Sequence, residues 1–203
     1  MANILKYLLL LFLALGLSAD NDYSLRVTHG KVTKSNLGEV LLLDIRSHKH
    51  DFKVTSLDAG YLLKKEAFDL PLDFYLKGGL AHFNEASMQS DVYEATIYIK
   101  VYYNIDFWQN RVRVGFGEGA SYTSEVLYYE KLKTQENNDN TSNFLNYLDL
   151  SLDFDIGKLF KYDALKDTYL GVAIKHRSGI FGLINNVRHG GSNYYVLSLE
   201  KNF

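Results

Sequence analysis

Between Val92 and Asn104 the chain alternates without a break. Tyr93, Ala95, Ile97, Ile99, Val101 and Tyr103 hold the odd positions, and Val92, Glu94, Thr96, Tyr98, Lys100, Tyr102 and Asn104 the even ones. Successive side chains of a strand point to opposite faces, so a period of two sorts this segment into an apolar face ended by Tyr on both sides and a polar face carrying Glu and Lys. A tilted strand needs about 9–11 residues to cross a bilayer, and this one has enough. An apolar surface of that height flanked by aromatic residues is what a lipid-facing barrel strand requires.

The same parity test works downstream. Val112, Val114 and Phe116 alternate with Arg111, Arg113, Gly115 and Gly117, and from Phe144 to Ile156 the row Leu148, Leu150, Leu152, Phe154 alternates with Tyr147, Asp149, Ser151, Asp153, Asp155. Facing rows of Arg/Lys and Asp/Glu suit a narrow polar lumen better than the solvent face of a sandwich. Further strands are expected at Tyr23 to Thr33, Glu39 to Ser47, Leu70 to Phe83, Thr168 to Ser178 and Ser192 to Phe203. The sum is eight, an even count that closes an antiparallel barrel. His48 to Asp69 reads as a long connection, although Val54 to Leu63 could hold a strand or short helix. The expected fold is therefore all-β: a single eight-stranded antiparallel transmembrane barrel over residues 20–203. Phe203, preceded at alternate positions by Leu199, Leu197 and Tyr195, resembles the C-terminal signal of outer-membrane barrels, with Lys201 as an interruption. With both termini periplasmic, the loops after strands one, three, five and seven lie outside the cell, the longest from Ser124 to Ser142.

Export is expected as well. Lys6 precedes an apolar run from Tyr7 to Leu17 and then Ser18-Ala19, which reads as a secretory signal peptide over residues 1–19, too short for a membrane-spanning helix. No later run of about 18 apolar residues predicts a transmembrane helix. Cysteine is absent, which removes both a disulfide framework and a lipid-modified thiol. The net charge of -2 gives no basic footprint for nucleic acid. Sixteen Tyr, twelve Phe and a single Pro fit long strands with aromatic girdles at the interfaces of an outer membrane.

One strand end carries chemistry. Leu170, Val172, Ile174, His176 and Ser178 share the lipid face of strand seven, and residues two apart on a strand project side by side, so an imidazole can lie within reach of a hydroxyl. His-X-Ser is a three-residue pattern, and an ordinary polar strand end is its bland explanation. Strand eight is the neighbour, and its odd face of Asn193, Tyr195, Leu197 and Leu199 also reads outward, which places Asn193 near His176.

The segment His176-Arg177-Ser178-Gly179, its Gly/Asn-rich loop and the ending Gly191-Ser192-Asn193-Tyr194-Tyr195 to Phe203 resemble the lipid A 3-O-deacylases of the PagL family, eight-stranded outer-membrane esterases with a His-X-Ser pair and a Glu on the last strand. The resemblance covers the last quarter of the chain. It implies a site on the outside of the barrel facing lipid A or lipopolysaccharide, with Ser178 as nucleophile and His176 as general base, and no cofactor. The family acid falls on Asn193, which can orient an imidazole through its amide oxygen but adds no charge. The family Asn after the Ser is here Gly179. Its oxyanion-hole Asn corresponds to Asn185 or Asn186 with a shifted gap, and backbone amides around Gly190 and Gly191 are a second source of donors. Glu136 or Asp139 in the long external loop are lower-ranked alternatives for the acid, and Glu200 has the parity of the lumen. Lys31, Lys34, Arg177, Arg188 and His189 are expected near the external rim, where they could meet lipid A phosphates.

No metal site is predicted: His29 and His82 fall on different strands, and the pair His48 and His50 beside Asp51 lacks a further ligand at a convincing spacing. Two function classes follow. One is an esterase removing the 3-linked acyl chain of lipid A; the other is a non-enzymatic small barrel serving adhesion, envelope integrity or lipid binding. A pore is disfavoured because eight strands leave an interior that side chains fill. A homodimer is among the assemblies open to such a barrel.

Overall fold

The structure, a computed structural model, describes residues 22–203; the expected signal peptide lies outside the described residues. Eight strands form a closed barrel in sequence order: β1 (Tyr23–Thr33), β2 (Lys53–Lys64), β3 (Leu72–Asn84), β4 (Val92–Phe107), β5 (Asn110–Thr123), β6 (Phe144–Asp155), β7 (Thr168–Ser178) and β8 (Ser192–Asn202). Every neighbouring pair is antiparallel, and β8 returns to β1 with Val27 opposite Leu199 and Lys31 opposite Tyr195. Closure leaves no sheet edge, which is the condition for a strand-built object to sit in hydrocarbon. Among the described residues no helix is long and apolar enough to cross a membrane.

The parity reading of β4 holds. Tyr93, Ile97, Ile99 and Tyr103 are exposed on the outer wall, whereas Glu94, Tyr98, Lys100 and Tyr102 are buried inside. Arg at Ile97, which stands 60% exposed on that wall, is expected to cost roughly 2 to 4 kcal/mol of folding free energy in lipid near the midplane. Denaturant titration of vesicle-inserted barrel reads that loss directly.

One strand and its flanking connection require correction. The segment expected as strand two, Glu39 to Ser47, is not a strand. Asn36 accepts from the Glu39 amide while the Glu39 carboxylate accepts from the Asn36 amide, a capping box that opens helix α1 (Leu37–Leu41). The second strand is instead Lys53–Lys64, inside the stretch expected as a connection. Its inward row is Val54, Ser56, Asp58 and Gly60, all buried; its outward row is Thr55, Leu57, Ala59 and Tyr61. The long loop between β1 and β2 therefore lies at the end of the barrel away from the two termini, and the shorter connection after β2 lies at the end that carries them.

Charge fills the interior. Arg26 Nη1 donates to both oxygens of Asp149 at 2.9 and 3.0 Å, and Lys100 also pairs with Asp149. Lys77 donates to Glu200 at 2.6 Å, Tyr102 donates to the other Glu200 oxygen at 2.7 Å, and Arg113 lies between the rings of Tyr102 and Tyr169. These side chains are buried, so the lumen is a packed polar core rather than a channel. Lys201, at an outward-parity position, turns its ammonium to the Lys166 carbonyl in the connection between β6 and β7 and keeps the charge out of lipid.

The external loop from Ser124 to Ser142 contains helix α2 (Tyr128–Asn137), which closes the outer end of the barrel. Its first turn has no side-chain cap of its own. Glu85, from the β3–β4 loop, accepts from the Tyr128 amide at 2.8 Å, and Glu130 accepts from Arg177 at 2.9 Å and from Ser192 at 2.7 Å. Burial pushes the Glu85 carboxyl up to about 7, against the opposing pull of the Tyr128 amide. Because the folded value lies above the ordinary one, the contribution is complete below about pH 4.5 and fades as pH rises through about 7. Protection factors of α2 amides in hydrogen exchange are therefore expected to be larger at pH 5 than at pH 8. Glu85→Gln should flatten that difference.

Candidate active site on the outer wall

His176 and Ser178 end β7 on its outward face, as Leu170 and Val172, both exposed, mark it. Antiparallel registration sets His176 opposite Asn193 of β8, and Ser178 opposite Asn146 of β6. The pairing with β8 makes the site. His176 Nδ1 lies 2.5 Å from Asn193 Oδ1. Asn193 Nδ2 donates to the Ser35 carbonyl at 2.8 Å, which fixes the amide so that its oxygen meets the ring. An oxygen acceptor demands that Nδ1 carry the proton, leaving Nε2 with the lone pair that a general base needs. A carboxylate in this position would impose the same tautomer.

Asn193 is only 5% exposed although it stands on the outer face. The cover is the β1–β2 loop. Thr33 pairs with Ser47 in an isolated bridge, Thr33 Oγ1 donates to the Arg46 carbonyl, and Arg46 N donates to Ser35 Oγ. The anchor at Ser35 was not visible in the sequence, because it depends on a contact across 158 residues.

Ser178 is half-buried, and among the described residues its hydroxyl has no hydrogen-bond partner, His176 included. Catalytic pairs without substrate are often open in this way and tighten on binding. Gly179 follows and initiates a turn, its carbonyl accepting from Gly182 and Ile184 at 3.1 and 2.9 Å. A Cβ at Gly179 would meet the Val187 carbonyl at 2.1 Å, and one at Gly191 the Arg177 carbonyl at 2.1 Å. Only glycine lets the β7–β8 loop lie this close to the strand ends. Ile180 and Phe181, next in the chain, both have positive φ, a conformation costly for a β-branched residue.

The expected oxyanion donors are placed unequally. Asn185 Nδ2 is committed to Ser142 Oγ at 2.8 Å and to the Phe144 carbonyl at 3.0 Å, so it holds the loop to β6. The Asn186 carbonyl accepts from Asn140 Nδ2 at 3.3 Å. Gly190 and Gly191 lie between the α2 helix and the end of β7. Arg188 N donates to Asp139 at 2.8 Å, and the His189 amide shares that carboxylate. Asp139 thus pins the loop and is not joined to His176. Burial opposes ionisation of Asp139, but the amides of His189, Asn140 and Arg188 outweigh it and hold the carboxyl below its ordinary value.

The expected basic rim is also revised. Arg177 is buried in the lumen between Glu94 and Glu130, at 3.1 and 2.9 Å, and is not available outside. Lys31 is exposed and paired with Asp51 at 2.7 Å. The α2 helix adds Lys133, unanticipated from sequence: it donates to the Gly191 carbonyl at 2.8 Å, and burial pushes its ammonium down.

No protein-family model matches this chain, and neither does any curated protein. Among solved structures, that of the outer membrane enzyme PagL is similar with a TM-score of 0.63, at 12% identity over 89% of this chain and 99% of that one. Neisserial surface protein A is similar with a TM-score of 0.51, at 13% identity over 92% of this chain and 99% of that one. The chain is accordingly an eight-stranded antiparallel β-barrel of the outer-membrane type. The exposed apolar belt and these likenesses support placement in an outer membrane. At these identities the likeness is one of fold, shared by one protein described as an enzyme and one described as a surface protein.

Proposed function

We propose that the protein is an exported outer-membrane esterase that removes the 3-linked acyl chain of lipid A. The observation that carries the reading is the oriented chain Ser35 carbonyl, Asn193, His176 on the lipid-facing wall two residues from Ser178. In the reaction, Nε2 of His176 takes the Ser178 proton as Oγ attacks the ester carbonyl; the tetrahedral oxyanion is met by amides of the Gly190-Gly191 stretch; the alcohol leaves with the proton from His176. Water then repeats the sequence on the acyl-serine and releases the fatty acid. Asn193 orients the imidazole without neutralising the imidazolium, so turnover is slower than with a carboxylate.

A fluorophosphonate that reacts with activated serines tests the site independently of lipid. Adduct mapping by tandem mass spectrometry is expected to place it on Ser178, and His176→Ala should lower the labelling rate by at least about 10²-fold, the lower end of a general base's contribution. Unlabelled Ser178 in a folded barrel speaks for the second reading, a non-enzymatic surface barrel, which the likeness to Neisserial surface protein A keeps open.

A further inference from the structure

Beside the His176–Asn193 pair, on the same outer wall, the β1–β2 loop and the strand ends enclose a cleft of about 120 Å³ lined by Lys31, His48, Lys49, His50, Asp51 and Tyr195. That is well above the roughly 10–15 Å³ that admits one water. Its place follows from register. Tyr195 is two residues below Asn193 on β8 and opposite Lys31 of β1, and Asn193 is opposite His176 of β7. Two strand spacings and a two-residue offset put the cleft roughly 10–12 Å from His176.

The cleft's chemistry selects an anion. Asp51 is its single acid and is bridged by two lysines, Lys31 at 2.7 Å and Lys53 at 2.5 Å. Lys49 is exposed and has no ion pair among the described residues. The other acids of this loop, Glu39 and Asp44, are both taken by Arg46. Positive charge is therefore in excess. The rings are held as well: His48 stacks on Phe52 with centroids 5.3 Å apart and meets the Tyr129 edge at 5.2 Å, while its Nδ1 accepts from the His50 amide at 3.1 Å. That bond leaves the Nε2–H of His48 as a donor.

We infer that this cleft binds a phosphomonoester on the sugar headgroup of an outer-leaflet glycolipid, placing the lipid so that an acyl ester on the same or the adjoining sugar meets Ser178. This rests on the proposed esterase reading for the purpose of the contact, but the binding itself does not. Lys49 and Lys31 supply charge, and His48 and His50 supply directed donors. Burial and the neighbouring charges of His50, Lys34 and Lys49 push His48 below its ordinary value, which an arriving phosphate dianion would reverse. Two lysines share the one carboxylate of Asp51 and Lys49 has no acid partner among the described residues, so the cleft carries a net positive charge that an anion would neutralise.

Native mass spectrometry of the Ser178→Ala barrel in detergent separates the possibilities, since no turnover occurs. Bisphosphorylated lipid A is expected to bind at least ten-fold tighter than enzymatically dephosphorylated lipid A, and the double variant Lys49→Gln/His50→Gln should erase that difference while leaving the dephosphorylated lipid unchanged. Equal affinity of the parent for both lipids overturns the inference, as does equal weakening of both by the double variant. Inorganic phosphate that displaces the phosphorylated lipid at equal concentration would place a free anion in the cleft and overturn the lipid assignment. Phosphate-dependent binding with no deacylation by the Ser178 protein defeats only the esterase reading. Deacylation that ignores the phosphates defeats only this one.

Discussion

Ser178→Ala is expected to eliminate release of the 3-linked acyl chain from lipid A, by on the order of 10⁶-fold if the pair behaves as other serine-histidine hydrolases do. His176→Ala should fall to the same floor, because the two groups act as a unit and their losses do not add. Both changes lie at the outer end of β7, so the barrel should still fold, which heat-modifiable gel mobility will show. The position that separates alternatives is Asn193. Its amide nitrogen is held by the Ser35 carbonyl, so its oxygen already selects the Nδ1–H tautomer of His176. What it lacks is charge. Asn193→Glu should therefore keep or raise the rate, provided its longer side chain clears Ser35, and Asn193→Ala should lower it by leaving the ring free to turn. A rate unaffected by Asn193→Ala would remove Asn193 from the site.

Asp149→Ala is expected to be the most destabilising single change in the lumen. Asp149 takes two bonds from Arg26 and pairs with Lys100, all three side chains fully buried. Its removal leaves Lys100 without an ion pair and Arg26 with only the longer contact to Glu200 at 3.9 Å, a situation that costs about 3–5 kcal/mol for one broken buried pair. The midpoint of urea unfolding in vesicles should fall accordingly. Replacing the triad together, Arg26→Met/Lys100→Met/Asp149→Leu, should recover most of the loss, because desolvation of the ions disappears along with their attraction. A single variant within about 1 kcal/mol of the parent would mean that water reaches the lumen around Arg26.

The strands that were legible in the sequence share one property: apolar and polar residues alternate without interruption, as in β4 and β6, because lipid and a charged lumen sort opposite faces. Strand β2 escaped for the same reason in reverse. Its lumen row holds Val54 and Gly60 among polar residues, and its lipid row holds Thr55 and Ala59, so neither face stands out. The Leu41-Leu42-Leu43 run nearby supplied a stronger apolar signal but no alternation, and the capping box at Asn36 opens a helix that ends at Leu41, with Leu42 as its C-cap and Leu43 at positive φ. At the site, parity sufficed to put His176, Ser178 and Asn193 on one wall. It could not supply Ser35, Lys133 or the cleft at His48 and Lys49, all of which depend on loops folding back across the strand ends. Arg177 illustrates the limit most clearly: adjacent to both His176 and Ser178, it points the other way and closes the lumen with Glu94 and Glu130.

Mass spectrometry of lipid A from outer membranes carrying the wild-type protein, compared with membranes carrying the Ser178→Ala barrel at equal abundance, tests the central claim most directly. The account predicts that wild type alone yields lipid A lighter by one acyl chain, with fragmentation assigning the loss to a 3-position. Lipid A identical in the two membranes, with both barrels folded, would contradict it.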